Sequence, residues 1–392
     1  MSQAAYIVAA RRAPIARLCG AYTGMAAARL GAQVMRAVIE DAGIDPGIID
    51  EVITGQVLQG GAGQNPARQA AIWAGIPNHV PAMTINKVCG AGQKSIHLAA
   101  QSIRAGDAHV ILASGQDSMT EAPHLLPGAR TGRKMGDMSA KDMMIVDGLW
   151  DVFNDIHMGM TVEALARRYQ ITREEQDSFA LISQEKALAA QASGVFDSEI
   201  TPITVSDHKG DRTVDLDEQP RKTTLERLSD MVPAFDSEGT ITAGNASGLN
   251  DGASAVLVVS ESKLFELNLT PMARIASYSA AALDPMDMGL GPVEASRKAL
   301  DIAGWAAKDL GRLEINEAFA AQSLAVNREM DWDPAAINVN GGAIALGHPL
   351  AASGNRIVTT LLHEMSRSGS KKGLASLCIG GGMGVAICLE RA

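Results

Sequence analysis

The chain has 392 residues and a net charge of −10, and 46% of its residues are hydrophobic. A chain of this length can bury a large core and should form two or three domain-sized units. The acidic balance argues against a nucleic-acid partner, so an anionic ligand would have to be met by local basic residues. The candidates for that contact are Arg130, Arg133, Lys134, Arg221 and Lys222.

Targeting and cysteine patterns narrow the class of protein further. The sequence contains no secretory signal, no lipidation motif and no apolar run approaching the length of about eighteen residues that spans a membrane. We therefore expect a cytoplasmic protein without a membrane partner. The four cysteines lack a CxxC pair, so neither a disulfide framework nor a metal site is predicted. They are Cys19, Cys89, Cys378 and Cys388.

An internal repeat organises the predicted elements. Residues 31–52 and 292–313 each show an amphipathic helix, a glycine stop (Gly43 and Gly304, at the same interval), a short loop and a strand. Residues 89–116 and 351–382 each show a glycine-led helix, a turn and an apolar strand that ends in glycine. The sequence therefore predicts an α/β fold built from two duplicated halves.

A different segment separates the two halves. We assign residues 1–119, completed by residues 248–270, to the N-terminal half and residues 271–392 to the C-terminal half. Residues 120–247 form an inserted loop domain that begins with an irregular arm, EAPHLLPGARTGRKMGD. A long helix follows, for which Thr172 is the predicted N-cap and Glu175 completes a capping box.

Four polar residues lie where strands give way to helices or turns. Cys89, in NKVCGAGQKS, precedes a helix whose free N–H groups favour a thiolate, although a small capping residue is the plain alternative. His348, in GHP, and Asn316, in LEINEAF, also fit ordinary loop and N-cap roles. Cys378 precedes three glycines in CIGGGMG and is, on its own, equally well a small buried hydrophobe.

The duplication gives these residues a shared chemistry. If the halves pack about a pseudo-twofold axis, their equivalent loops meet, and Cys89 faces His348 and Cys378. A histidine within hydrogen-bond reach activates a nucleophilic thiol, and a second thiolate can take a proton from carbon. Glycine turns expose N–H groups that can hold an oxyanion.

The sequence resembles the thiolase family, in particular its bacterial acetyl-CoA acetyltransferase branch, over essentially its whole length. The motifs that carry the resemblance are, in order, GQNPARQAA, NKVCGAG, KMGD, HMGMTVE, TAGNASGLNDGA, NEAFAAQ, GGAIALGHP and CIGGGMG. The resemblance implies a five-layered αβαβα thiolase fold whose inserted loop domain helps to bind coenzyme A, and a homotetramer made of paired dimers. It also implies that no cofactor is needed and that coenzyme A is a substrate or product.

The resemblance also implies roles for matching positions. Cys89 becomes the acylated nucleophile, His348 its activator, Cys378 the acid/base and Asn316 the holder of an oxyanion-hole water, while the N–H groups of Cys89 and Gly380 form a second hole. The implied coenzyme A and substrate contacts are His157, Met158, Arg221, Ala243, Ser247, Leu249, Met288, Ala318 and Phe319.

The implied reaction is the reversible condensation of two acetyl-CoA molecules to acetoacetyl-CoA and coenzyme A. The alternatives are a degradative 3-ketoacyl-CoA or 3-ketoadipyl-CoA thiolase, a non-catalytic acyl-CoA carrier, and a decarboxylating ketosynthase. The carrier would be expected to lack one of the two thiols or the histidine, and the ketosynthase needs a histidine where Asn316 stands. Two departures from the family pattern are Ala91 and Ala351, and the methyl group of Ala351 could alter pocket width and chain-length preference.

Overall fold

The computed structural model describes residues 3–207 and 210–391, with the Asp207 side chain excepted. The strands are, in chain order, β1 (Ala5–Arg12), β2 (Ala16–Arg17), β3 (Glu51–Gly55), β4 (Ala82–Ile85), β5 (Val110–Ser118), β6 (His124–Leu125), β7 (Lys141–Asp142), β8 (Trp150–Asp151), β9 (Ile156–His157), β10 (Ile203–Asp207), β11 (Gly210–Val214), β12 (Asn250–Ser260), β13 (Ala273–Ala282), β14 (Arg312–Ile315), β15 (Lys372–Ile379) and β16 (Met383–Glu390). The α-helices are α1 (Ala27–Ala42), α2 (Pro66–Trp73), α3 (Ala91–Ala105), α4 (Met158–Tyr169), α5 (Arg173–Ala192), α6 (Leu225–Ser229), α7 (Glu261–Glu266), α8 (Gly291–Ala303), α9 (Ala320–Glu329), α10 (Ala343–Leu346) and α11 (Leu350–Ser368).

The strand order repeats in the two halves. In the first half β4, β3 and β5 run parallel, and β12 and β1 then pair antiparallel. In the second half β14 and β15 run parallel, and β16 and β13 follow antiparallel in the corresponding positions. The halves join where Tyr6 and Ile7 of β1 pair with Arg274 and Ala273 of β13. The predicted duplication is therefore visible in the topology.

Helices cover both faces of each half. The amphipathic helices α3 and α11 pack against each other, and each contacts strands of both halves, so they form a shared middle layer. On the outer faces, α1 packs on β12 and β5, and α8 packs on β13 and β16. Three apolar clusters fill the spaces between these layers. The predicted five-layered αβαβα arrangement is confirmed.

Small residues allow the middle helices to approach closely. A Cβ atom on Gly92 of α3 would lie 2.3 Å from the carbonyl oxygen of Ala351 in α11, and one on Gly115 of β5 would lie equally close. Only glycine fits such a contact between backbones. The contact holds the first turns of α3 and α11 together, and with them the loops that carry Cys89 and His348.

The inserted segment packs on this core through its helices. Helix α4 contacts α9, and α5 contacts α9 and α10. The capping box that starts α5 is as predicted, because Thr172 and Glu175 each accept the other's backbone N–H. Strands β6 and β7 pair at the base of the arm, and the residues between them are exposed. Within the described ranges, none of the helices has the length and apolarity needed to cross a bilayer.

Candidate active site

A cavity of about 320 Å³ lies where the first turns of α3 and α11 meet the end of β15. Cys89, His348, Cys378 and Gly380 all line it, although more than 250 residues separate the first two along the chain. Asn316 lies behind His348, with its Nδ2 atom 3.5 Å from His348 Nδ1. The fold thus brings together all five residues predicted to form the reactive centre.

Cys89 lies in a strained turn. The preceding residue, Val88, has a φ of 45°, which is unfavourable for a β-branched side chain, and Asn86 Oδ1 accepts its N–H at 2.8 Å. Burial raises the pKa of the Cys89 thiol to about 11, although the N–H groups of Gly380 and of Cys89 itself hydrogen-bond the sulfur. Desolvation therefore outweighs the helix terminus, and at neutral pH the resting group is a thiol rather than the expected thiolate.

His348 is held through its backbone and its ring. Its N–H donates to Asn250 Oδ1 at 2.9 Å, and its Nδ1 lies 2.6 Å from Ser353 Oγ in the first turn of α11. Burial, with a smaller effect of the Arg356 charge, lowers the pKa of His348 to about 4. The imidazole is therefore neutral at pH 7 and can accept a proton.

Cys378 ends the apolar run of β15 next to a turn that requires glycine. Gly381 and Gly382 have φ values of 85° and 78°, and a Cβ on Gly382 would lie 2.5 Å from the carbonyl oxygen of Leu283. The turn thereby places the N–H of Gly380 on the sulfur of Cys89. Burial, together with the nearby Cys89, raises the pKa of the Cys378 thiol well above its usual range.

Asn316 is fully buried and its side-chain oxygen has no partner among the described residues. Its backbone N–H donates to Ser376 O at 3.0 Å, which ties the residue to β15 two positions before Cys378. Buried polar atoms are usually paired, with ordered water when no protein group is near. The orphaned oxygen beside His348 therefore suits a bound water.

The cavity wall contains eight of the nine residues predicted to contact coenzyme A. They are His157, Met158, Ala243, Ser247, Leu249, Met288, Ala318 and Phe319. Arg221 is not in the wall, but its Nη2 donates to the carbonyl oxygen of Ala243 at 3.3 Å. Arg221 therefore lies directly behind this wall residue. On the wall, His157 stacks on Phe235 at 4.5 Å, and Phe319 meets Phe235 edge-on.

Sequence reasoning missed part of the wall. The missed residues are Met119, Met144, Ile145, Gly148, Leu149, Ala234, Phe235, Thr242, Ala246, Gly248 and Leu350. Thr242, Ala246 and Gly248 lie within the motif TAGNASGLNDGA and Leu350 directly follows GHP, so these four could have been found from the motifs. The single π-helical turn Met144–Leu149 has no periodicity that marks it. Ala91 and Ala351 are fully buried outside the wall.

Comparisons with known proteins identify the class. Models of the thiolase N-terminal and C-terminal domains match residues 5–262 and 269–391, so the chain belongs to the thiolase family. It is 59% identical to the acetyl-CoA acetyltransferase of Pseudomonas aeruginosa over 98% of both chains. Its structure is similar to those of Bacillus anthracis acetyl-CoA acetyltransferase (42% identity, TM-score 0.98) and human mitochondrial 3-ketoacyl-CoA thiolase (43% identity, TM-score 0.97). Each structural comparison covers 100% of this chain and 99% of the other.

Proposed function

We propose that this chain is an acetyl-CoA C-acetyltransferase, which condenses two acetyl-CoA molecules reversibly into acetoacetyl-CoA and coenzyme A. The observation that carries the proposal is the convergence of Cys89, Cys378, a neutral His348 and the Gly380 N–H on one cavity. One thiol can hold the acyl group while the other handles a proton on carbon.

In the first half-reaction the Cys89 sulfur attacks the carbonyl carbon of acetyl-CoA as its proton passes to His348. The N–H groups of Cys89 and Gly380, which already contact the sulfur, stabilise the tetrahedral oxyanion. The bond from carbon to the coenzyme A sulfur then breaks. Cys378 gives its proton to the departing thiolate, which leaves acetylated Cys89, protonated His348 and a Cys378 thiolate.

In the second half-reaction the Cys378 thiolate removes a methyl proton from another acetyl-CoA. Because burial raises the pKa of this thiol, its thiolate is a strong base. Protonated His348 and the water held by Asn316 stabilise the enolate oxygen. The enolate carbon attacks the acetyl group, Cys89 departs and recovers its proton from His348, and both thiols are restored.

The remaining residues support the binding of coenzyme A. The apolar wall of Met158, Met288 and Phe319 suits the pantetheine chain and the acyl group, and Arg221 behind Ala243 provides positive charge for the nucleotide end. Coenzyme A is then substrate and product, and no further cofactor takes part. A homotetrameric state and a cytoplasmic location complete the proposal.

A second candidate is a 3-ketoacyl-CoA thiolase that acts on longer chains. The similarity to the human mitochondrial structure and the apolar residues Met119, Met144 and Leu350 beside the reactive centre favour this alternative. A 3-ketoadipyl substrate fits less well, because its terminal carboxylate would meet a described wall that contains neither lysine nor arginine.

The test is a steady-state comparison of acetoacetyl-CoA, 3-ketohexanoyl-CoA and 3-ketoadipyl-CoA in the thiolytic direction, with condensation of acetyl-CoA measured separately. We expect acetoacetyl-CoA to give the highest kcat/KM. A higher kcat/KM for 3-ketohexanoyl-CoA would select the second candidate, and absence of thiolysis for all three would refute both.

Cys89→Ala should abolish both directions while coenzyme A still binds, because no other group would carry the acyl intermediate. Labelled acetyl-CoA should mark only the peptide that contains Cys89. Cys19→Ala is the control, since Cys19 is exposed and lies outside the cavity wall. Stable labelling of Cys378 instead of Cys89 would reverse their roles.

A further inference from the structure

Ser353 contacts the ring of His348 on the side that faces the protein. Its Oγ lies 2.6 Å from His348 Nδ1, and the serine is buried in the first turn of α11. The contact is the shortest polar contact of the histidine ring.

The direction of the serine hydroxyl can be read from its second contact. Ser353 Oγ donates to the carbonyl oxygen of Pro349, four residues earlier, at 3.1 Å. This is the usual bond of a serine inside a helix. With its one proton assigned to that bond, the oxygen meets Nδ1 with a lone pair, and Nδ1 is then the proton donor of the shorter contact.

Two asparagines also lie near the histidine, and neither supplies a competing acceptor for the Nδ1 proton. The Nδ2 donor of Asn316 lies 3.5 Å from Nδ1, at the outer limit for a hydrogen bond, and would favour an unprotonated Nδ1, but the Ser353 contact at 2.6 Å is much shorter. Asn250 Oδ1 is occupied by the backbone N–H of His348. Neither offers the ring an acceptor as close as Ser353. The charged Arg356 lies near enough to lower the pKa of His348, so it also disfavours a second proton on the ring.

We propose that Ser353 is a positioning residue that keeps the Nδ1 proton of His348 in place, so that Nε2 alone exchanges a proton with Cys89. The same hydrogen bond serves the neutral and the protonated ring, because Nδ1 is a donor in both. The proposal rests on the proposed function for the meaning of that exchange. In the opposite tautomer Nε2 would carry the proton and could not accept one from the thiol.

The first experiment compares Ser353→Ala, Ser353→Thr and the parent. In Ser353→Ala we expect kcat to fall about ten- to a hundredfold, the size of the loss when a metal-bound histidine loses the partner that orients its ring, with KM changed less than about twofold. The rate at which iodoacetamide alkylates Cys89, followed by peptide mapping, should be lower than in the parent at pH 7. In a plot of this rate against pH, the plateau should be reached only at a higher pH than in the parent. Ser353→Thr retains the hydroxyl and should restore both readouts to within about fivefold of the parent.

Ser95→Ala is the matched control. Ser95 is also a buried serine near the start of a middle-layer helix, and its Oγ donates to Gly92 O at 2.7 Å without touching a titratable group. The Ser95→Ala variant should be less stable than the parent, but the pH dependence of its Cys89 alkylation should be that of the parent. If Ser353→Ala behaves like Ser95→Ala, with the parent pH profile and kcat, Ser353 is merely structural and the proposal fails.

A second experiment needs no variant at position 353. Solid-state ¹⁵N spectra of enzyme labelled in histidine, with His348→Asn used to assign the peaks, should show a protonated Nδ1 and an unprotonated Nε2 at pH 7. The reverse assignment would overturn the proposal even if Ser353→Ala cannot fold. Alkylation and spectra do not require turnover, so they remain decisive if the proposed acetyl transfer itself proves wrong.

Discussion

Burial shifts the pKa values of Cys89 and His348 in opposite directions. It raises the pKa of the thiol to about 11 and lowers that of the imidazole to about 4, so both groups are neutral near pH 7. A resting thiolate–imidazolium pair would require the reverse order of pKa values. In the proposed reaction the proton therefore moves as the sulfur attacks.

The division of work between the thiols is testable with Cys378→Ser, which nearly preserves size but removes the base. We expect acetyl-enzyme still to form, because coenzyme A can leave as a thiolate. Condensation, and exchange of the acetyl-CoA methyl hydrogens with deuterated water, should fall about a hundred- to ten-thousandfold. A serine variant that condenses at close to the parent rate would show that Cys378 is only a small buried hydrophobe.

At the scale of elements, the connections between equivalent strands differ in the two halves. Strands β5 and β12 are joined by the long inserted segment, whereas β15 and β16 are joined by Gly380, Gly381 and Gly382. The first connection supplies His157 and Phe235 to the cavity wall. The second supplies the Gly380 N–H that contacts the Cys89 sulfur. Equivalent strand connections thus contribute part of the cavity wall in one half and a tight turn in the other.

Gly382→Ala should lose both stability and activity. A methyl group there meets the Leu283 carbonyl oxygen at 2.5 Å in addition to the strain of a φ of 78°, so the turn must shift and take the Gly380 N–H with it. Gly304→Ala, at the end of α8, is the control, since its φ is 68° and nothing lies within 4 Å.

For Gly304→Ala we expect only the backbone penalty of about 1 kcal/mol in unfolding free energy and an unchanged kcat. Urea unfolding and steady-state kinetics measure both variants. Equal effects of the two substitutions would mean that the contact with Leu283 does not hold the turn in place.

At the scale of the whole molecule, the middle layer buries a histidine that the proposed chemistry does not use. His97 of α3 is enclosed, its Nε2 has no partner among the described residues, and its ring stacks on Tyr278 at 5.0 Å. Burial lowers the pKa of His97 from its ordinary 6.5 to about 3. The unfolded chain therefore binds a proton between these pH values that the folded chain rejects, and stability is lost as the pH falls.

His97→Phe should remove this acid sensitivity while keeping an aromatic ring on Tyr278. Relative to the variant, the parent should lose about 1.6 kcal/mol of unfolding free energy between pH 6.5 and pH 5. Urea unfolding of the parent and of the variant at pH 6.5 and pH 5 measures this loss. The reference is pH 8, where His97 is neutral in both the folded and the unfolded chain. If the difference in unfolding free energy between parent and variant stayed constant from pH 8 to pH 5, His97 would not be a neutral, buried histidine.

The arm between β6 and β7 is a second feature of the whole molecule. Arg130, Arg133 and Lys134 are exposed there beside Met135, which is 89% exposed. Reversal of the three charges should weaken the proposed tetramer or raise KM at low salt, where attraction of an anionic ligand is strongest. Sedimentation velocity and kinetics at two salt concentrations measure these effects. Unchanged results in both would leave the arm a solvated loop.

Several features were predictable because their causes are local or periodic. The repeat of helix, glycine and strand predicted the duplicated halves, and the capping box at Thr172 predicted the start of α5. The candidate site residues could be identified from their residue types and their positions beside helix starts and glycine turns. They are Cys89, Asn316, His348 and Cys378. The proposed domain boundaries at residues 119, 247 and 270 stay a prediction, and so do the roles of the site residues.

Other features depend on contacts between residues far apart in the chain. The sequence alone determined the repeated α/β pattern, the motifs and the resemblance to thiolases, because these are properties of neighbouring residues. Only the tertiary structure decided that Arg221 lies behind the wall, that Ala351 lies outside it and that Ser353 meets His348 Nδ1. It also decided that Cys89 rests as a thiol, because desolvation depends on every element packed around the sulfur and not on the helix that follows it.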